Sequence, residues 1–300
     1  MTREQLSGHL SVAAAYTIFG LNIVFCKDIA EAHAVSPIAL FTLRAIGASA
    51  LFWLLSLFMP GEKVSRKDMG LIILASLTGL FIPQLTFLMA MTISTPVDTA
   101  VMGTLSPIFT MFFAFFFLKE PITWKKALGV AISFGGILLL IFNSVRSAGA
   151  VERTAPEGFV LLLLNSLSFA FYLGAFRTLI SRYSVVTFMK WMFLVSLLVS
   201  LPLSAGDLVR TDFASIPSGI LWEIGYLILF ATFFAYFLIP FGQQRIRPTL
   251  VSMYSYLQPI IAAIVSVWVG QDSITWQKLL AMVLVLTGVT LVNRSRSAEA

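Results

Sequence analysis

The chain carries about ten apolar segments, each close to the ~20 residues needed to cross a hydrocarbon core, with short polar turns between them. They fall near residues 8–25, 37–59, 69–91, 96–118, 123–142, 157–180, 186–204, 217–243, 249–270 and 276–292. Lipid offers backbone amides no partners, so each segment must satisfy its own hydrogen bonds or join a closed barrel. Barrel strands alternate apolar and polar residues, and the run Met111-Phe112-Phe113-Ala114-Phe115-Phe116-Phe117-Leu118 does not alternate. The expectation is an all-α integral membrane protein. Composition agrees: 58% of residues are hydrophobic and 11% charged, against about 25% charged in soluble domains. The first segment follows Arg3 like a secretory signal, but it is long enough to span and lacks a small-x-small cleavage site, so it reads as a retained helix.

A second pattern divides the chain. The stretch beginning at Pro96 recurs from Pro248 at a constant offset of 152 residues. Pro107 maps to Pro259, and Ile122-Thr123-Trp124 to Ile274-Thr275-Trp276. Lys126, Leu128, Gly136 and Leu139 map to Lys278, Leu280, Gly288 and Leu291, with Glu120 replaced by Asp272. No gap is needed, so one unit is duplicated. Residues 1–145 and 157–300 form the two copies, and 146–156 is a polar linker. Duplication of this kind is a common build for secondary transporters.

Loop charge sets an expected orientation. With the N-terminus in the cytoplasm, 13 Lys and Arg lie inside, among them Lys63, Arg66 and Lys67; five lie outside: Lys27, Arg146, Arg153, Arg210 and Lys278. Both termini then face the cytoplasm of a bacterial-type inner membrane. Five spans per copy is an odd number, so the second copy enters the membrane inverted. The expected architecture is ten transmembrane helices as two inverted five-helix repeats around a central cavity.

The residues Leu118-Lys119-Glu120-Pro121-Ile122-Thr123-Trp124-Lys125-Lys126-Ala127-Leu128-Gly129-Val130, followed by Gly135-Gly136-Ile137, resemble the repeat signature of the drug/metabolite transporter superfamily. The nearest branch resembles the EamA-type ten-helix exporters, which include YddG-like amino-acid exporters. The likeness extends over nearly the whole chain and is weaker in the second copy, where Asp272 stands for the usual Glu and Ala281 for the usual Gly. It implies a cavity between the halves and alternating access across the inner membrane. It leaves the substrate open, since members move amino acids, other metabolites or toxic cations.

Intramembrane polar groups are the candidate site, because each is costly in hydrocarbon unless it faces protein or water. They are Asn22, Arg44, Gln84, Asn165, Tyr172, Tyr236, Tyr254 and Tyr256, with Gln258 beside them. The offset pairs Gln84 with Tyr236, Met102 with Tyr254 and Thr104 with Tyr256, which brings Met102 and Thr104 into the set. Each could equally serve as an interhelical hydrogen bond. Arg44, two turns into its span, either snorkels outward, pairs inside the bundle, or neutralises a substrate carboxylate. Pro107 and Pro259 are expected to be paired bends, serving packing or acting as symmetric hinges. Gly129, Ser133 and Gly136 share one face and suit close helix packing. Glu120 reads as a charge that fixes a tight connection at the interface.

Several classes are set aside. The basic residues are scattered through short loops rather than gathered on one face, which argues against nucleic acid. A single cysteine, Cys26, allows no intrachain disulfide and no thiolate-rich metal site. No phosphate-binding Gly-rich loop and no Ser/His/Asp set is evident, so neither a cofactor nor enzymatic chemistry is expected. Asp28, Asp98 and Glu223 sit at span ends, and no carboxylate lies mid-span to exchange a proton for a cation. The expected partners are a small-molecule substrate, an amino acid or related metabolite, and the bilayer. A proton-coupled multidrug exporter is the second transport reading. A membrane-embedded enzyme or structural membrane protein is the alternative from another class.

Overall fold

The computed structural model describes residues 3–119, 123–146 and 154–269, together with Trp276, Leu279, Leu280, Val283, Leu284, Thr287, Gly288 and Leu291. The Glu120 connection, Lys278 and most of the 146–156 linker lie outside the described residues. Every described element is helical. In chain order they are α1 (Arg3–Glu31), α2 (Pro37–Ser56), α3 (Arg66–Met91), α4 (Pro96–Gly103), α5 (Ser106–Leu118), α6 (Trp124–Arg146), α7 (Pro156–Ala175), α8 (Arg177–Arg182), α9 (Val185–Arg210), α10 (Ser218–Gln243), α11 (Pro248–Met253) and α12 (Leu257–Val269). The described positions of 276–291 are helical as well. Among the described residues, seven helices are long and apolar enough to cross a membrane. Leu54 and Leu198 are exposed on two of these helices, as are Phe116 on α5 and Trp268 on α12, an apolar surface of the kind a bilayer covers.

The helices begin where side chains can satisfy orphan amides. Ser36, Ser65, Thr123 and Ser184 accept hydrogen bonds from the backbone N–H of Ala39, Asp68, Lys126 and Thr187. Pro37, Pro96, Pro156 and Pro248 open α2, α4, α7 and α11, where a missing N–H costs nothing. Glu62 ties the preceding loop to the start of α9 by accepting from Ser184 N–H and Oγ–H at 3.0 and 2.9 Å. Partial burial works to raise its carboxyl; the Ser184 bonds outweigh that and hold it below the ordinary carboxylate range. Several helices outrun their apolar cores. Lys27 and Glu31, expected in a turn, extend α1 as an i,i+4 ion pair at 3.3 Å.

The 152-residue offset is written into the backbone. Shifting Arg66–Met91 by 152 gives the bounds of α10, Ser218–Gln243. Each of these helices contains a π-helical stretch at the matching place, Leu77–Phe81 and Leu227–Phe234. Two physical devices sustain them. In the first, the N–H of Ile82 bonds Leu77 O, one residue further back than in an α-helix. Pro83, next in that register, has no N–H for Thr78 O, and Ser168 Oγ–H donates to that carbonyl instead at 2.8 Å. In the second, Thr232 Oγ–H donates to Leu227 O at 2.6 Å. The fourth and ninth segments are each interrupted at equivalent points. A turn at Thr104–Leu105 divides α4 from α5, and a 3₁₀ turn at Tyr254–Tyr256 divides α11 from α12. Pro107 and Pro259 lie just past these interruptions.

Equivalent helices α2 and α9 pack against each other. Ser36, before α2, donates to Asp207 near the end of α9, and Trp53 near the end of α2 meets Trp191 near the start of α9. The two helices therefore run antiparallel. Two apolar clusters bracket the middle of the bundle. One contains Tyr16 and the stacked Phe52–Phe193 pair, with ring centroids 5.5 Å apart. The other contains Ile23, Cys26 and Phe41, which meets Phe81 edge-on. Gly129 and Ser133 of α6 receive Gly288 so closely that a Cβ at 288 would overlap them. The small face expected from the sequence is thus a packing face.

Candidate functional site

A cavity of about 90 Å³ lies between the two clusters, lined by Tyr16 of one and Ile23 of the other. Both copies contribute to it: α1 to α5 from the first, and α7, α10 and the interrupted α11–α12 segment from the second. The helix irregularities deliver groups to this space. Each frees backbone groups or turns a side chain away from a regular helical face.

Arg44 is the only cation in the wall among the described residues, and it is 2% exposed. It does not snorkel. Its Nε–H donates to Thr232 Oγ1 at 2.7 Å and its Nη2–H reaches Ala231 O at 3.5 Å, both in the π-helical stretch of α10. Nη1 has no hydrogen-bond partner among the described residues. Its acceptors are neutral, so its charge is solvated by dipoles but not cancelled. In the same wall are further buried groups without hydrogen-bond partners among the described residues: the hydroxyls of Tyr16, Thr99, Ser106 and Ser255. A cluster of unsatisfied polar groups beside an uncancelled cation is costly in a dry interior. A polar ligand carrying negative charge would satisfy both needs.

Six of the residues expected from the sequence line this cavity: Asn22, Arg44, Gln84, Asn165, Tyr236 and Gln258. Gln84 and Tyr236, related by the offset, face it from opposite copies. Asn165 Nδ2–H donates to Pro83 O at 2.6 Å and so ties α7 to α3 just past its π-helical stretch. Asn22 Oδ1 accepts from the Cys26 thiol. The remaining five lie outside the lining. Met102 packs beside the cavity with its carbonyl bonded to Ser166 Oγ, and Thr104 is buried at the interruption of the fourth segment. Tyr172 packs against Gly79, where a Cβ would collide with its ring. Tyr254 turns away to His9 Nδ1 at 2.8 Å. Tyr256 is buried at the end of the 3₁₀ turn.

In place of the Met102/Tyr254 and Thr104/Tyr256 pairs, the cavity takes Gly103 with Ser255 and Ser106 with Gln258. These are also related by 152 residues and lie in the same two segments. Gly103 leaves room for Gln258, whose Oε1 would stand 2.9 Å from a Cβ there. Tyr16, Thr99, Ser166 and the ring of Phe169 were not anticipated. Ser106 had a sequence signal, since it is polar and precedes a matched proline just as the anticipated Gln258 does.

A profile of the EamA-like transporter family matches residues 6–142 and again 156–294. The chain belongs to the EamA-like transporter family. It is therefore a multi-pass membrane transporter rather than an enzyme. The EamA-like protein is 23% identical to the uncharacterized transporter YetK of Bacillus subtilis (strain 168), covering 99% of this chain and 90% of that protein. It is 26% identical to the uncharacterized inner membrane transporter YicL of Salmonella typhimurium (strain LT2), covering 95% of each. An uncharacterized transporter of Archaeoglobus fulgidus is 23% identical over 95% of this chain and 98% of its own length. A solved crystal structure shares the fold with a TM-score of 0.75 at 16% identity, over 98% of this chain and 99% of the other. The names of these relatives carry no substrate.

Proposed function

We propose that this EamA-like protein is a secondary transporter that exports small carboxylate-bearing metabolites, amino acids foremost, across the inner membrane by alternating access. The observation that carries the reading is Arg44, buried in the central cavity with Nη1 unpartnered and no carboxylate paired with it among the described residues. A carboxylate placed there gains a charge-assisted hydrogen bond, among the stronger kinds available to protein groups. The neighbouring hydroxyls and the Asn165 and Gln84 amides suit the remaining polar atoms of an amino acid. The cavity has room for roughly six to nine water-sized groups, which fits a small metabolite.

Alternating access rests on the duplication. Residues 1–145 and 157–300 act as two five-helix units, with 146–156 joining them. Antiparallel packing of the equivalent helices α2 and α9 supports a second unit inverted relative to the first. An inverted pair around one cavity can exchange its two conformations and so open to opposite sides in turn. Loop charge supports cytoplasmic termini. A cationic drug is disfavoured, since Arg44 repels it at close range in a low-dielectric site.

The test is uptake into liposomes holding the purified protein. Labelled amino acids should accumulate in a protein-dependent and saturable way, and a labelled lipophilic cation should not. Uptake of the cation alone would replace this reading with multidrug export.

A further inference from the structure

Two arms of the fold are equivalent in position and unequal in chemistry. The first is Arg66–Ser76 of α3 and the second Ser218–Tyr226 of α10, each running up to a π-helical stretch. Just past the first stretch, Pro83 and Gln84 line the cavity. Polar groups bind the first arm to the second copy along its length. Near its start the Asp68 carboxylate is buried, and two residues of the other copy each hold one of its oxygens. Arg182 Nη1–H donates to Oδ1 and Tyr183 OH to Oδ2, both at 2.6 Å. Just before the arm, Glu62 accepts from the backbone and side chain of Ser184. One turn past Asp68, Ile72 packs in the same apolar cluster as Ile180 and Tyr183. At the end of the arm, Ser76 Oγ–H donates to Met192 O at 2.6 Å, with Ser196 Oγ 2.8 Å away. Gln244, just past α10, braces the same corner by donating through Nε2–H to Ile180 O and Tyr183 O at 2.8 and 3.1 Å.

The 152-residue offset shows what the second arm has instead. Glu62, Asp68 and Ser76 map to Ala214, Ile220 and Ile228, while Arg182 and Ser184 map to Ala30 and Ala32. None of these side chains can form a polar contact, and Ile220, Ile228 and Ala30 pack against the second apolar cluster. The second arm reaches α1 through Tyr226, whose hydroxyl donates to Ile18 O at 3.3 Å. The duplicated arm therefore lacks the charged fastening of the first. The difference is physical in kind. Charge-assisted hydrogen bonds hold at contact distance and in one geometry. Apolar burial is non-directional, so its contacts can slide and repack.

We propose that Asp68, Arg182 and Tyr183, with Glu62 and Ser184, form a latch that closes the cavity at the end where α3 meets α9. The π-helical stretch Leu77–Phe81 is the hinge on which the arm swings when the latch parts. π turns and prolines are the usual bending points of helices, and Pro83 stands two residues past this one. Parting the latch moves Arg66–Ser76 away from α9 and opens a way to Pro83 and Gln84 behind it. The equivalent end has no such latch, so the resting transporter opens more readily there. The inference rests on the alternating-access reading but not on the identity of the substrate.

The arms supply matched reporters, since Ile72 and Ile224 are images under the offset and each is buried in an apolar cluster. Ile72→Cys is the first reporter and Ile224→Cys the second, each in a Cys26→Ser background. Purified protein is labelled with a thiol reagent at fixed pH and without substrate. Asp68→Asn and Arg182→Gln should each raise labelling of the first reporter about tenfold, the scale of a lost hydrogen bond to a charged group. Labelling of the second should stay the same or fall. The two replacements change the local charge in opposite senses, so a rise in both reports opening rather than thiol acidity. No rise at the first reporter overturns the proposal. An equal rise at both reporters also overturns it, since that marks a loosened fold. Should neither variant fold, Tyr183→Phe keeps the ring in its cluster and removes one bond to Asp68. Labelling of the first reporter should then rise about threefold or more, and an unchanged rate refutes the latch. Failure of amino-acid uptake would leave all these outcomes unchanged, so the two readings fail separately.

Discussion

Arg44 is the residue on which sequence and structure meet most closely. A charge near the centre of a membrane helix costs about 3 kcal/mol on insertion scales. The chain offsets part of that through Thr232 and Ala231 but leaves Nη1 without a partner. Replacing Arg44 by Met removes the charge while keeping much of the side chain's apolar volume. Folded protein should persist, with a melting temperature equal to or above the wild type, because an unpaired buried charge has gone. Apparent affinity for an amino acid should fall about tenfold or more, a loss of about 1.4 kcal/mol or greater. A variant that melts much lower, with unchanged affinity, would make Arg44 a structural brace for the π-helical stretch. Asn165 and Gln84 were legible as cavity-lining residues because a buried amide in a span needs a partner or a ligand. Tyr254 was equally polar but bonds His9, and Tyr172 packs its ring against Gly79 with its hydroxyl unpartnered among the described residues. Sequence gives polarity but not the direction a side chain takes.

Among the elements, the long apolar helices and the offset were readable because lipid imposes length and duplication imposes register. The breaks were harder to place. The expected pairs in the fourth and ninth segments rested on polarity and the offset, which mark the segments but not the side chains that turn inward, and the lining takes Gly103 with Ser255 and Ser106 with Gln258. The matched prolines sit just beyond the breaks, where the missing N–H favours an interrupted helix. If they are hinges, Pro107→Ala and Pro259→Ala should each let the interrupted segment straighten and bias the resting state. With the second unit inverted, as proposed, the two biases are opposite. A reporter cysteine at Gln84, in a Cys26→Ser background, should become more accessible from the periplasm in one variant and less in the other. Transport should fall in both, since a shift of ~1.4 kcal/mol changes the ratio of states about tenfold. Changes in the same direction, or none with normal transport, would reduce the prolines to packing features.

At the scale of the whole molecule, duplication was visible in the sequence, and the antiparallel contact of α2 with α9 gives it a spatial form. Orientation can be tested directly. In a Cys26→Ser background, a cysteine at Ser147 should react with an impermeant reagent in intact cells, while one at Ser65 should not. Reaction at both would overturn the inverted arrangement with cytoplasmic termini. The central claim, a cavity in which Arg44 recognises a carboxylate, is tested most directly by competition in liposomes. Uptake of a labelled amino acid is measured against its unlabelled form and against the matching carboxamide, which keeps the shape and loses the charge. The unlabelled acid should compete fully, and the carboxamide should need at least about a tenfold higher concentration. Equal competition by the two would contradict the account.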